Sequence, residues 1–228
     1  MEGEENFVCG RFELTDDIDT IACEFNIDTD IEISPNFNIA PSQYIIVVRQ
    51  NELGQNEIAQ ARWGLIPSWV SDLKRSPKPI NAKIETAHVK PFFRYAFKKR
   101  RCLIPANGFF EWKLINDKKQ PFLIHKKNNS LLYFAGLWEL WQSDEGEVIE
   151  TATILTTKAV GVITDVHDRM PIILSKKIFG NWLDIQNEDV EFIQAICAEN
   201  ENSHLEIVRV SPLVNSTRNN SPDCIKAI

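Results

Sequence analysis

The chain has 228 residues, 43% of them hydrophobic and 25% charged, with a formal net charge of −7. That length suits one well-buried domain, and stretches such as Tyr44–Val48 are far too short to span a bilayer, which needs about 20 apolar residues. The charge argues against a protein that coats duplex DNA with its whole surface, and the acidic start Met1–Asn6 lacks the basic and apolar parts of a signal peptide, so a cytoplasmic address is expected.

A strand-like segment around Cys9–Phe12 opens the chain, followed by a short amphipathic helix with Leu14, Ile18, Ile21, Ala22 and Phe25 at helical spacing. Tyr44–Arg49 and Glu57–Trp63 read as strands around a polar turn. Pro91 is placed to open a helix carrying Phe92, Phe93, Ala96 and Phe97, whose basic end Lys98–Arg101 suits the negative pole of the helix dipole. Pro121–His125, Leu131–Trp138 and Val148–Thr156 are β-rich. Asn187 is the expected N-cap of a helix bearing Val190, Ile193, Ile196 and Cys197, and Leu205–Val210 is a late strand. Strands fill the middle and helices sit near the ends, with no repeat or linker between them. The expected fold is α+β: a single domain with a curved, mostly antiparallel, barrel-like β-sheet flanked by short helices.

The five cysteines (Cys9, Cys23, Cys102, Cys197 and Cys224) form no CxxC pair, and the four histidines have no metal-ligand spacing, so neither a disulfide framework nor a metal is expected. Arg94, Lys98, Lys99, Arg100 and Arg101 form the densest basic cluster, readable as a solvated helix end or as part of a nucleic-acid groove.

Four segments combine reactive groups with turn-formers and aromatics: Val8–Phe12, Ile80–Thr86, Ala106–Trp112 and Asp165–Pro171. Cys9 alone reads as a buried apolar cysteine, although Arg11 could lower its thiol pKa or hold a phosphate. On an alternating strand Phe110 and Trp112 share one face and Glu111 takes the other, where apolar walls would raise its pKa toward neutrality. His167 lies beside Asp165 and Asp168, either as a satisfied surface histidine or as an imidazole oriented by a carboxylate. Asn81 reads as a turn residue or as an amide that positions an amine or a sugar oxygen. The Trp63–Trp69 loop, followed by Lys74, Arg75, Lys78 and Lys83, offers either core packing or a stacking surface for unpaired bases.

The ordered set of segments Cys9–Phe12, Asn38–Pro41, Trp63–Trp69, Asn81–Thr86, Arg101–Trp112, Ala135–Trp138, Thr153–Thr157 and His167–Pro171 resembles the SOS-response-associated peptidase (SRAP) family, from about Cys9 to Ile225. The resemblance implies a cleft for single-stranded DNA containing abasic sites, and a thiazolidine cross-link between an N-terminal cysteine and the lesion's aldehyde. It carries catalytic roles onto Cys9, Asn81, Glu111 and His167. DNA contacts are carried onto Arg11, Asn38, Pro41, Trp63, Pro67, Trp69, Lys83 and Arg169. Lys83 stands where the family pattern has arginine, which keeps the charge but loses bidentate phosphate contact. No cofactor, metal or membrane is implied. A monomer is expected, associated with the nucleoid during DNA damage and tied to the SOS response by the family name alone.

Residues 1–8 precede Cys9 as a leader, with the SRAP domain at 9–228; an internal cysteine has no free amine, so removal of the leader is expected. One route is self-cleavage, with the Cys9 thiol attacking the Val8 carbonyl; the alternative is that translation starts elsewhere or that residues 1–8 are not native to the protein. Two other readings stay open: a thiol peptidase that uses Cys9 and His167 on its own leader or on other peptides, and a non-covalent single-strand binding module.

Overall fold

The computed structural model describes residues 9–202 and 204–228; the leader assigned to Met1–Val8 lies outside the described residues. Strand β1 (Phe12–Leu14) takes Leu14 away from the helix expected to contain it, so α1 runs only from Ile18 to Phe25. Asp17 caps it, its carboxylate accepting from the Thr20 amide, and Asn26 ends it in a left-handed conformation. After β2 (Asn36–Ile39), the β-branched run of β3 (Tyr44–Gln50) pairs antiparallel with β4 (Asn56–Trp63). Next come β5 (Asn81–Lys83), α2 (Ile84–Ala87) and α3 (Arg94–Lys99). Pro91–Phe93 form turns, so the helix opens three residues later than the proline suggests.

Five longer strands and one short one follow: β6 (Arg101–Ala106), β7 (Gly108–Ile115), β8 (Lys118–Lys126), β9 (Leu132–Gln142), β10 (Val148–Lys158) and β11 (Arg169–Pro171). The β7–β8 hairpin turns on Asn116 and Asp117, both at positive φ (49° and 60°), as a two-residue turn of the type that matches strand twist requires. The chain ends with α4 (Phe179–Leu183), α5 (Val190–Ala198) and β12 (Leu205–Arg209). The cap of α5 is Asp189, which accepts from the amides of Glu191 and Phe192, and not Asn187 as the sequence suggests. Asn187 instead accepts from the Asp189 amide and gives its carbonyl to Arg101.

Two sheets result. One is antiparallel throughout, in the order β12-β8-β7-β1-β2. The other closes on itself: β10 pairs with β4 and β9, β9 with β6, β6 with β3, and β3 with β4. This barrel is mixed, because β10 runs parallel to β4 and β5 and antiparallel to β9 and β11. Closure leaves no exposed edge on those five strands. Edge-on aromatic contacts join the layers, with Phe12 set 5.1 Å from Trp63 and 6.1 Å from Phe134, and Phe109 set 5.8 Å from Phe134. The expected α+β, barrel-like architecture is the one observed.

The basic cluster is largely built into this scaffold. Arg101 is buried and donates to the carbonyls of Phe97, Lys98, Trp182, Asp184 and Asn187, tying the ends of α3 and α4 together. Lys99 pairs with Glu188 at 2.5 Å and Arg100 with Glu139. No helix among the described residues is long and apolar enough to cross a membrane.

Candidate functional site

The two sheets face each other across Glu111. Alternation along β7 sends Phe109 into the interlayer core, Phe110 and Trp112 into a smaller apolar cluster on the other face, and Glu111 back to the inner side. Gly108 permits the close strand approach here: a Cβ would lie 2.7 Å from Leu123 Cδ1 and 3.0 Å from the Ile124 carbonyl oxygen. Glu111 is 1% exposed, and its Oε1 accepts the Cys9 backbone N–H at 2.7 Å. Burial is the main cause lifting its carboxyl to about 8. The Cys9 N–H pulls the other way, and the negative charge of Asp168 adds to the rise. A carboxyl raised this far exchanges its proton in the neutral range instead of at acid pH.

Cys9 is itself buried, and its backbone is left-handed at φ 43°, a conformation that costs a non-glycine residue about 1–2 kcal/mol. Burial first, and the Glu111 charge second, push its thiol well above the ordinary cysteine value. The expectation that Arg11 lowers this thiol pKa is corrected. Arg11 donates to Asn38 Oδ1 at 2.7 Å and to the Val214 carbonyl at 2.9 Å, and lies over the Trp112 ring.

Asn81 and Lys83 sit on β5, which pairs in parallel with β10: Asn81 lies opposite Ile154 and Lys83 opposite Thr156. Asn81 is half-buried and Lys83 exposed. On the other flank of the same stretch of β10 lies β11, with Arg169 opposite Lys158. The turn before β11 holds His167, whose Nδ1 accepts the Arg169 amide at 3.0 Å and lies 3.0 Å from Asp168 Oδ1. Cys9 and Glu111 are thus in contact, Asp168 is within electrostatic range of Glu111, and Asn81 and His167 flank one strand.

The expected DNA contacts divide. Trp69 is 61% exposed, its ring edge-on to Phe92 at 5.4 Å, and Pro41 is exposed. Trp63 is 1% exposed, because it ends β4 in the inward phase and its indole N–H donates to the Ile80 carbonyl at 2.9 Å. Pro67 is also buried. Neither offers a face to a base, which corrects their place among the contacts. Asn38, 2% exposed, spends its amide on the carbonyls of Val214, Ser216 and Asn219 and its oxygen on Arg11, so it fastens the C-terminal segment. Arg169 is held by Glu85 and by Thr156, which lie in the Asn81–Thr86 and Thr153–Thr157 segments with no local pattern that marks either as its partner. Two surface grooves, one beside Phe25, Asn26 and Gln55 and one beside Glu32, Asn36 and Tyr44, contain none of the candidate residues.

The arrangement joins a protonatable carboxyl to the nitrogen of a cysteine inside the apolar interlayer, with Asp168 of the His167 turn within electrostatic range. That chemistry suits proton delivery to, or removal from, a nitrogen next to a thiol. Comparison with known proteins gives a family-level match: the model of the SOS response associated peptidase (SRAP) family fits residues 8–217. The chain is 42% identical over 224 residues to the abasic site processing protein YoqW of Bacillus subtilis, covering 96% of this chain and all of that one. It is 40% identical over 224 residues to the abasic site processing protein YoaM of the same organism, covering 96% and 98%. A crystal structure of a protein from Bacteroides thetaiotaomicron superposes with a TM-score of 0.83 at 22% identity, covering 96% of this chain and all of that one, a likeness of fold.

Proposed function

The chain belongs to the SOS response associated peptidase (SRAP) family, and from that premise we propose that it processes abasic sites in single-stranded DNA by capturing the lesion's aldehyde on Cys9. The relatives' names as abasic site processing proteins support the substrate class. The observation that carries the chemistry is the 2.7 Å hydrogen bond from the Cys9 nitrogen to Glu111.

Once residues 1–8 are gone, that nitrogen is an α-amine, with an ordinary pKa of about 7.7–8.0. Glu111, lifted to about 8, is matched to it and can move protons either way near neutral pH. The amine nitrogen attacks the aldehyde carbon and passes a proton to the carboxylate. Glu111 returns that proton to the alkoxide oxygen, giving a carbinolamine, and then carries the second nitrogen proton to the hydroxyl, which leaves as water, so that an imine forms. The Cys9 sulfur then adds to the imine carbon, and its proton ends on the nitrogen. Thiol and amine sit on one residue, so ring closure is intramolecular and needs no further capture step. His167 donates to the sugar's ring oxygen and favours opening. Asn81 positions the amine or the sugar, and Trp69 stacks beside the lesion. A cross-link of this kind shields a site prone to strand breakage, and breakdown of the imine gives the lyase-like outcome.

Denaturing gel electrophoresis tests this reading. A slow band should form with single-stranded DNA holding one abasic site, and vanish with Cys9→Ala or with undamaged DNA. Absence of the band, from protein that begins at Cys9, overturns it.

A second reading, self-cleavage of the leader, draws on the same contact and on the left-handed Cys9 backbone. The Cys9 sulfur attacks the Val8 carbonyl carbon, Glu111 gives its proton to the departing nitrogen as the C–N bond breaks, and the thiol's own proton passes to Glu111 in its place. Water then hydrolyses the thioester, restoring the thiol. Cleavage relieves the backbone strain at Cys9. Intact-mass spectrometry over time should show loss of residues 1–8 from the parent protein and retention in Glu111→Gln. Equal retention in both leaves the leader to another agent.

A further inference from the structure

His167 Nδ1 has two neighbours at equal distance that make opposite demands. The Arg169 amide, 3.0 Å away, donates to it and requires a bare lone pair. The Asp168 carboxylate, also 3.0 Å away, requires a proton there. One nitrogen cannot satisfy both at once. When the amide wins, the neutral ring carries its proton on Nε2, the nitrogen left to donate to a substrate oxygen. The position of the Arg169 backbone therefore decides what His167 can do.

Three residues of β11 are a short hold on that backbone, and the Arg169 side chain supplies the rest. Its Nη2 donates to the Thr156 carbonyl at 2.8 Å and to Thr156 Oγ1 at 3.2 Å. Glu85 grips the same guanidinium through both oxygens, at 2.6 and 3.0 Å. Hydrogen bonding from Arg169 holds the Glu85 carboxyl below its ordinary range, so it stays ionised. Glu85 lies four positions after Asn81, in the first turn of α2 directly after β5. One carboxylate thus ties the Asn81 strand to the His167 turn across β10.

We propose that Glu85 is a positioning residue: acting through Arg169, it fixes the His167 turn so that the ring accepts at Nδ1 and donates from Nε2. The role in capture rests on the abasic-site reading above, whereas the effect on the imidazole does not. Fork-shaped contact with both carboxylate oxygens is what gives the pair directional hold that a point charge lacks.

The test compares the parent protein with Glu85→Ala and Glu85→Gln, all beginning at Cys9. Nitrogen-15 spectra of the imidazole report the tautomer. Anisotropy with single-stranded DNA bearing a tetrahydrofuran site, which has no aldehyde, reports binding. Single-turnover capture of a true abasic strand reports the chemical step. The expected result is an Nε2–H pattern in the parent that turns into a mixed pattern in Glu85→Ala. Capture slows about tenfold or more in that variant, while binding to the tetrahydrofuran strand stays within about threefold, because misplacement acts on the reacting geometry. Glu85→Gln, which keeps one acceptor for Arg169, falls between. An unchanged imidazole pattern in Glu85→Ala overturns the proposal, as does a loss confined to binding. If the parent captures nothing, the functional reading fails and the imidazole pattern alone decides the role of Glu85.

Discussion

The backbone nitrogen of Cys9 donates to Glu111 Oε1 at 2.7 Å across 102 positions of sequence, a contact made possible because β1 and β7 are neighbours in one sheet. Removing the acid while keeping the shape isolates its chemistry. Glu111→Gln is expected to slow covalent capture by about 10²–10⁴-fold, the usual range for a general acid–base, with little change in DNA affinity. Rapid-quench kinetics beside a binding titration checks this.

Stability should fall as the solution is made more alkaline across the neutral range. Glu111 is raised to about 8 and Glu13 to about 7, in both cases chiefly by burial. A carboxyl with a raised folded pKa binds more protons folded than unfolded, so its contribution is full below the unfolded value near 4.5. That contribution is lost as pH rises through the folded value. Between about pH 5 and 8 the melting temperature should drop, and Glu13→Gln should flatten the lower part of that slope. A profile that rises over this window contradicts both assignments.

The two tryptophans of one loop should separate cleanly. Trp63→Ala empties a core position against Phe12 and is expected to cost about 3–5 kcal/mol of stability. Trp69→Ala removes an exposed ring and should leave unfolding within about 0.5 kcal/mol. It should weaken binding to unpaired bases by about 1–3 kcal/mol if it stacks as proposed. Thermal melts and anisotropy measure the two effects.

Asn38→Ala should act through folding and not through a lost nucleotide contact. It removes three hydrogen bonds to the carbonyls of Val214, Ser216 and Asn219 and one of the two that Arg11 Nη1 donates, at a cost of about 1–3 kcal/mol. Hydrogen exchange should show the loosening concentrated in residues 211–228.

What the sequence disclosed follows from the range of the physics involved. Glu111 is readable because strand alternation is local. Trp63 stands at the joint of the Glu57–Trp63 strand and the Trp63–Trp69 loop, and ending β4 in the inward phase commits it to the core, which the loop pattern alone does not reveal. Asn187 and Asp189 are both good caps two positions apart, and the Asn187 side chain takes the Asp189 amide while Asp189 takes those of Glu191 and Phe192, a division that composition alone does not reveal. Distance along the chain hides Arg101, since a run of cations looks solvated until helix-end carbonyls enclose it. Glu85 lies in the Asn81–Thr86 segment, but its partner Arg169 is 84 positions on, and no local rule joins them.

The most direct test of the account is the intact mass of the covalent product formed with an abasic single strand. The account predicts the mass of residues 9–228 plus the oligonucleotide less one water, absent in Cys9→Ala. A product that retains residues 1–8, or one that forms equally well without Cys9, contradicts capture by a freed cysteine amine beside Glu111.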